Sequence, residues 1–150
     1  MKKIIVSIMM LSSLVFGGMN SSANAVDYDA LDKLSSKDLA RAISNEIAKN
    51  FPMNIDYLTK AIGIVAINTT VITKKQINIA HKDLKEHWEK DKNNLIIPMF
   101  KLDSQNICYN PVWEYMINKR GIIAKFEYVS TNNKPIFEYT VEKEDCRKLK

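Results

Sequence analysis

The histidines His81 and His87, the glutamates Glu86 and Glu89 beside them, and the cysteines Cys108 and Cys146 are of the types from which catalytic or metal chemistry is usually built. The two histidines stand six residues apart, and at about 100° per helical residue they point in well-separated directions, so one metal ion cannot hold both. A zinc-protease pair needs histidines at i and i+4 with a glutamate between them, and that pattern is absent. Glu86 and Glu89 flank His87 among Lys82, Lys85 and Lys90, which reads as a solvated helix face before it reads as an acid-base pair. Neither cysteine lies in a Cys-x-x-Cys or beside a histidine, the settings that activate a thiol or capture zinc. Asp27, Asp29 and Asp32 cluster without the glycine and closing glutamate of a calcium loop, and read as a mobile acidic start. The chain has four glycines, and neither a phosphate-cradling loop nor a Gly-x-Ser-x-Gly elbow occurs. No catalytic residue, metal ligand or cofactor is expected, and no binding residue can be named. Paired carboxylates for glycoside cleavage would have to be brought together by the fold.

The chain begins as an export signal would. Lys2 and Lys3 precede an apolar run over residues 4–16, and Ala23-Asn24-Ala25 supplies a small-x-small cleavage site. The run is shorter than the roughly 20 residues that span a bilayer, so residues 1–25 are expected to be a cleaved signal peptide. No cysteine follows the site, so no lipid anchor and no stable membrane insertion of the mature chain are expected. The remainder, residues 26–150, carries 20 basic and 17 acidic side chains, interspersed along the chain. That balance gives no electrostatic footprint for nucleic acid. Its length is that of a single domain. In an oxidising compartment the default state of Cys108 and Cys146 is a disulfide, large in effect for a domain of this size.

The elements that must position these residues follow from periodicity. Ser35 and Ser36 offer caps, and Leu39, Ile43 and Ile47 recur at i+4, predicting a helix over 36–50 that ends before Pro52. Residues 26–34 read as a frayed lead-in. Isoleucine, valine and threonine dominate the next stretch, predicting strands over 55–66 and 68–74, with Gly63 as a bulge or the bend. Ala80, Leu84 and Trp88 form one apolar stripe, predicting a surface helix over 79–93. Pro98 interrupts residues 95–102, expected as a short helix or turn. Asn110 can cap a helix that has Pro111 at its first position and Gly121 as its left-handed stop.

The C-terminal stretch alternates most clearly. Ile122, Ala124, Phe126 and Tyr128 interleave with Ile123, Lys125, Glu127 and Val129, and Phe137, Tyr139 and Val141 repeat the period beyond Asn132-Asn133, predicting a β-hairpin. With Tyr109, Trp113 and Tyr115, these aromatics read first as core and cross-strand packing. A second reading leaves one sheet face uncovered to bind something flat or apolar. The expected fold is α+β: an antiparallel four-stranded sheet with helices on one face, a two-layer sandwich closed by one disulfide.

The order Cys108, Asn110-Pro111, short helix, Gly121, alternating Phe126 and Tyr128, polar turn, strand and Asp145-Cys146 resembles small exported bacterial proteins of the quorum-sensing-regulated virulence factor-like group. Phe51-Pro52 after a first helix, followed by Asp56 and Thr59, is similar to that group too. The resemblance implies a compact α+β sandwich, periplasmic or secreted, with Cys108 and Cys146 paired and no enzyme activity. Some small secretion-system assembly factors look alike in layout, although those are typically lipid-anchored. The leading expectation is therefore a non-enzymatic interaction module that binds an envelope or effector protein. The alternatives are an immunity or inhibitor protein against a periplasmic toxin or hydrolase, and a cell-wall-directed enzyme. A deep pocket with two converging carboxylates would mark the last.

Overall fold

The computed structural model describes residues 27–149, so the expected signal peptide, residues 1–25, lies outside the described residues. In chain order the elements are α1 (Tyr28–Asp32), α2 (Ser36–Ala48), β1 (Met53–Asn54), β2 (Thr59–Ile67), β3 (Thr70–Ile77), α3 (Lys82–Lys90), α4 (Asn93–Cys108), α5 (Pro111–Arg120), β4 (Ile123–Ser130), β5 (Pro135–Val141) and α6 (Lys143–Lys148). The fold is α+β, with a five-stranded sheet in the order β1-β2-β3-β4-β5.

The sheet is mixed, which corrects the expected four-stranded antiparallel one. β3 and β4 run parallel, pairing Thr70 with Ile123 and Ile77 with Ser130. A parallel pair needs a long crossover, and α3, α4 and α5 supply it. Alternation along a strand has the same period in either direction, so the sequence pattern does not distinguish the two. The fifth strand, β1, is two residues set against Lys60 and Ala61 of β2. It is too short to carry a pattern.

The second strand begins at Thr59 instead of 55 because Asp56 stops it. Asp56 Oδ1 accepts the amide hydrogens of Leu58 at 2.7 Å and Thr59 at 2.8 Å, closing a tight loop. Register slips between Ala61 and Gly63, so Ile62 is an extra residue and Gly63 sits beside a bulge. The bend itself falls at Asn68-Thr69, where Asn68 takes a positive φ of 55°. Asparagine does the same at Asn133, φ 61°, in the β4–β5 turn.

Three helical expectations change. Residues 27–34 contain a short helix with Ala30 and Leu31 buried, so the acidic start is built in: Asp27 caps α1 through the Ala30 amide at 3.0 Å, and Asp32 meets Arg120 and Tyr115. Arg120 further donates to the Leu31 carbonyl at 2.8 Å and to that of Leu34. The helix expected over 79–93 begins at Lys82, where His81 Nδ1 accepts from the Asp83 amide. The helix through Pro98 runs for 16 residues to Cys108. Pro98 and Asn94, whose carbonyl it cannot serve, are both exposed, so water can take the missing bond. The caps of α2 and α5 follow the sequence reading, with Ser35 accepting from Asp38, Asn110 accepting from Val112 and Trp113, and Gly121 at φ 62°.

Up to Tyr128 the buried residues of the sheet lie on one face. Thr59 and Ala61 oppose Ile77 and Lys75, which with Val71 and Thr73 neighbour Ala124, Phe126 and Tyr128. The helices cover that face with Leu39, Ile43, Ile47, Ile107, Val112, Trp113, Met116 and Ile117. The other face carries Val65, Ile67 and an ion-pair cluster in which Lys125 Nζ lies 3.2 Å from Glu127 and 2.9 Å from Glu138. The aromatics of the hairpin are thus packed, with Tyr128 and Phe137 stacked at 4.6 Å between centroids.

Candidate functional site

Along β3 every second residue from Val71 to Ile77 is buried, and this places Lys75 inside the molecule. Along α4 the stripe Leu95, Met99, Asp103, Ile107 recurs at i+4, and this places a carboxylate on the apolar side of the helix. The two meet. Lys75 Nζ and Asp103 Oδ1 are 2.5 Å apart, with both side chains 6% exposed. Asp103 Oδ2 accepts the hydroxyl hydrogens of Tyr128 and Tyr139, each at 2.8 Å. Lys75 also donates to the Tyr128 oxygen at 3.3 Å and lies 4.7 Å from the centre of the Phe126 ring. The ammonium is therefore caged by one carboxylate, one hydroxyl and two aromatic faces.

This cluster forms one wall of a cavity of about 250 Å³ between α4 and the sheet. Met99, Leu102 and Ile107 line the helix side, Thr59, Thr73 and Phe126 the sheet side, and Trp113 of α5 closes the inner end. The β1–β2 loop contributes Ile55 and Asp56 to the lining. Leu102 is 57% exposed and Ile55 39%, so the rim is apolar and open to solvent. The loop is rigidly built. Ile55 and Asp56 both donate backbone hydrogens to the Thr59 carbonyl, Asn78 donates to that of Leu58, and the Tyr57 hydroxyl donates to Asp83 at 2.7 Å. The bond to Asp83, burial and the charges of Asp83 and Asp56 hold the Tyr57 phenol above its ordinary pKa.

Burial lowers the Lys75 pKa from its ordinary value, and the charge and hydrogen bond of Asp103 partly oppose it. Burial, then the Asp103 charge, pushes both Tyr128 and Tyr139 upward. The unfolded phenols ionise near pH 10.0 while the folded ones stay protonated. The contribution of the tyrosines to stability is thus complete below that pH and is lost progressively above it, because the unfolded chain then binds fewer protons. Lys75 acts in the opposite sense, with stability rising between its lowered folded value and 10.5. An alkaline titration followed by tyrosinate absorbance is expected to show a late phase that coincides with unfolding, and Tyr128→Phe with Tyr139→Phe removes that phase. Ionisation of all the tyrosines in one step, ahead of unfolding, would contradict the assignment.

The cysteines, histidines and glutamates singled out in the sequence lie elsewhere, whereas Trp113, Phe126 and Tyr128 of its aromatic set line the cavity. Cys108 and Cys146 are joined in a disulfide, each 1% exposed, tying the end of α4 to α6. His81 caps α3, His87 lies within that helix, and Glu89 pairs with Lys85 at 3.8 Å on the surface. Among the described residues no three His, Cys, Asp or Glu side chains converge as metal ligands. Two carboxylates do line the cavity, Asp56 and Asp103. Both oxygens of Asp103 accept hydrogen bonds within the wall, from Lys75, Tyr128 and Tyr139. Among the described residues no helix is long and apolar enough to cross a membrane.

The signal for this site lies in the sequence just beyond the expected element ends. The expected strand ends at Lys74 and the expected short helix or turn at Leu102, one residue short of Lys75 and Asp103. Continued by one residue, each period puts a charge where it calls for an apolar side chain.

No protein-family profile matches the chain, and no curated protein matches it. Solved structures do. A Pseudomonas aeruginosa protein assigned as secreted superposes with a TM-score of 0.63 at 13% identity, covering 84% of this chain and all of that one. The pilotin EpsS of the Vibrio vulnificus type 2 secretion system gives 0.60 at 10% identity, covering 74% and 91%. The pilotin AspS of the Vibrio cholerae type II secretion system gives 0.57 at 16%, covering 74% and 92%. At such identities the likeness is one of fold, and this chain is similar in fold to pilotins and to that Pseudomonas protein: a small α+β domain, here closed by the Cys108–Cys146 disulfide.

Proposed function

We propose that this protein is a non-enzymatic, extracytoplasmic interaction module that binds another protein of the cell envelope, with the apolar-rimmed cavity between α4 and the β1–β2 loop as its docking cleft. The observation that carries the reading is the cleft itself. An open cavity of about 250 Å³ has Leu102 and Ile55 exposed at its mouth, and Lys75, Asp103 and Tyr128 in its wall are hydrogen-bonded to one another, while the buried Trp113 Nε1 has no hydrogen-bond partner among the described residues. Such a surface loses little on desolvation and gains from apolar contact, the composition of a binding hot spot. A rigid, hydrogen-bonded loop on one side lowers the ordering cost of docking. The similar folds of two type 2 secretion pilotins and the resemblance to exported virulence factor-like proteins support the same reading. The disulfide and the N-terminal sequence support cleavage of residues 1–25 and residence in the periplasm or outside the cell.

The test is photocrosslinking in the native host. A photoreactive amino acid at Leu102 is expected to give one discrete adduct with an envelope protein, and the same probe at Glu86, on α3 away from the cleft, is expected to give none. Thr73→Trp, which fills the cavity from its floor, removes the adduct while circular dichroism shows the fold retained. Equal labelling at both positions, or an adduct that survives the filled cavity, overturns the reading.

A further inference from the structure

The charged residues that line the cavity are Asp56, Lys75 and Asp103. Lys75 and Asp103 cancel within the wall, and among the described residues Asp56 forms no salt bridge, so the cavity carries one uncompensated negative charge. That charge is fixed in place. Both amide hydrogens that hold Asp56 go to Oδ1, and Oδ2 carries no hydrogen bond among the described residues. A second carboxylate, Asp83, is tied to the same loop through Tyr57. Lys60 shares a neighbouring shallow pocket with Asp56 but does not pair with it. Deeper in, Lys75, Asp103, Tyr128 and Tyr139 bond to one another, Met99, Leu102, Ile107 and Phe126 supply most of the remaining surface, and Trp113 adds a buried indole N–H with no partner among the described residues. The interior suits a mainly apolar group, with the Trp113 N–H free to donate to a carbonyl beside it, and the mouth suits a cation.

Resting on the docking reading above, we infer that the partner segment inserts an apolar side chain into this cavity and carries a lysine or arginine beside it, whose charge is taken by Asp56. The complementarity is local and directional: an acidic neighbour would meet Asp56 with like charge. It also gives discrimination, because other apolar segments lack the paired cation.

The test uses the full-length chain, exported and purified with its disulfide intact, and three capped tripeptides: Leu-Leu-Lys, Leu-Leu-Gln and Leu-Leu-Glu. Binding is followed through amide resonances of Thr59, Thr73, Leu102 and Asn106. The expected order is Lys tighter than Gln tighter than Glu, with about a tenfold span between the ends at low salt, as attraction and repulsion together at the exposed Asp56 allow. Asp56→Asn collapses the Lys peptide to the Gln level and leaves the Gln peptide unchanged. Equal affinities, an order that survives Asp56→Asn, or no peptide entering the cavity overturns the inference. The two readings fail separately. An adduct at Leu102 in the host without any charge order in the peptides keeps the docking cleft and sinks the basic neighbour. A charge order without an adduct keeps the cavity's ligand chemistry and sinks the envelope partner.

Discussion

Replacing Asp103 with alanine is expected to lower the free energy of unfolding by about 3–5 kcal/mol, the range for breaking a buried ion pair from one side. Three groups lose their acceptor at once: the Lys75 ammonium and the Tyr128 and Tyr139 hydroxyls. Lys75→Met is the milder change. It leaves Asp103 with two tyrosine donors, so a cost of about 1–3 kcal/mol is expected. Urea unfolding of the two variants, followed by circular dichroism, decides the matter. A Lys75→Met cost equal to or above that of Asp103→Ala would show that the carboxylate is not the centre of the network. The same comparison bears on the cleft, because Asp103 and Lys75 form its polar wall, and Asp103→Ala is expected to alter peptide entry while Lys75→Met alters it less.

Removing the disulfide is the second large effect. Cys108 and Cys146 are 38 residues apart, and the chain-entropy relation gives about 4 kcal/mol for a closed loop of that length. Against an ordinary domain stability of roughly 5–15 kcal/mol this approaches the margin of folding. The loss should be uneven. α6 has six residues, too few to persist without tertiary support, so reduction is expected to expose the amides of 143–148 to hydrogen exchange before those of the sheet. The Cys108→Ser, Cys146→Ser double variant and the reduced wild-type chain should share a lowered urea midpoint. A midpoint that does not move would show that helix packing alone holds α6. In the proposed location the bond also sets where the chain folds well, since a reducing compartment would leave it near the threshold.

The helices that carry their own punctuation were legible as they stand. Ser35 with Asp38, Asn110 with Pro111, and Gly121 mark α2 and α5 through contacts within five residues, and a local signal survives any tertiary setting. The terminal hairpin was legible for the same reason. The ends that moved are those set by distant partners or by side-chain capture: β2 begins where Asp56 releases the chain, α1 is tied down where Arg120 holds the Leu31 carbonyl, and α4 passes through Pro98 because its far side packs on the core.

The sequence by itself determined the class of the fold, its helix caps, the pairing expected of two cysteines bound for an oxidising space, and the absence of any local catalytic motif. Only the tertiary structure decided that β3 and β4 run parallel, since strand alternation carries no direction. It alone brought Lys75 to Asp103, 28 residues away, and placed Asp56 on the same cavity. A pattern along the chain reports which face a residue takes, whereas a site depends on which faces meet. That meeting is set by the crossover of three helices and by the packing they share with the sheet.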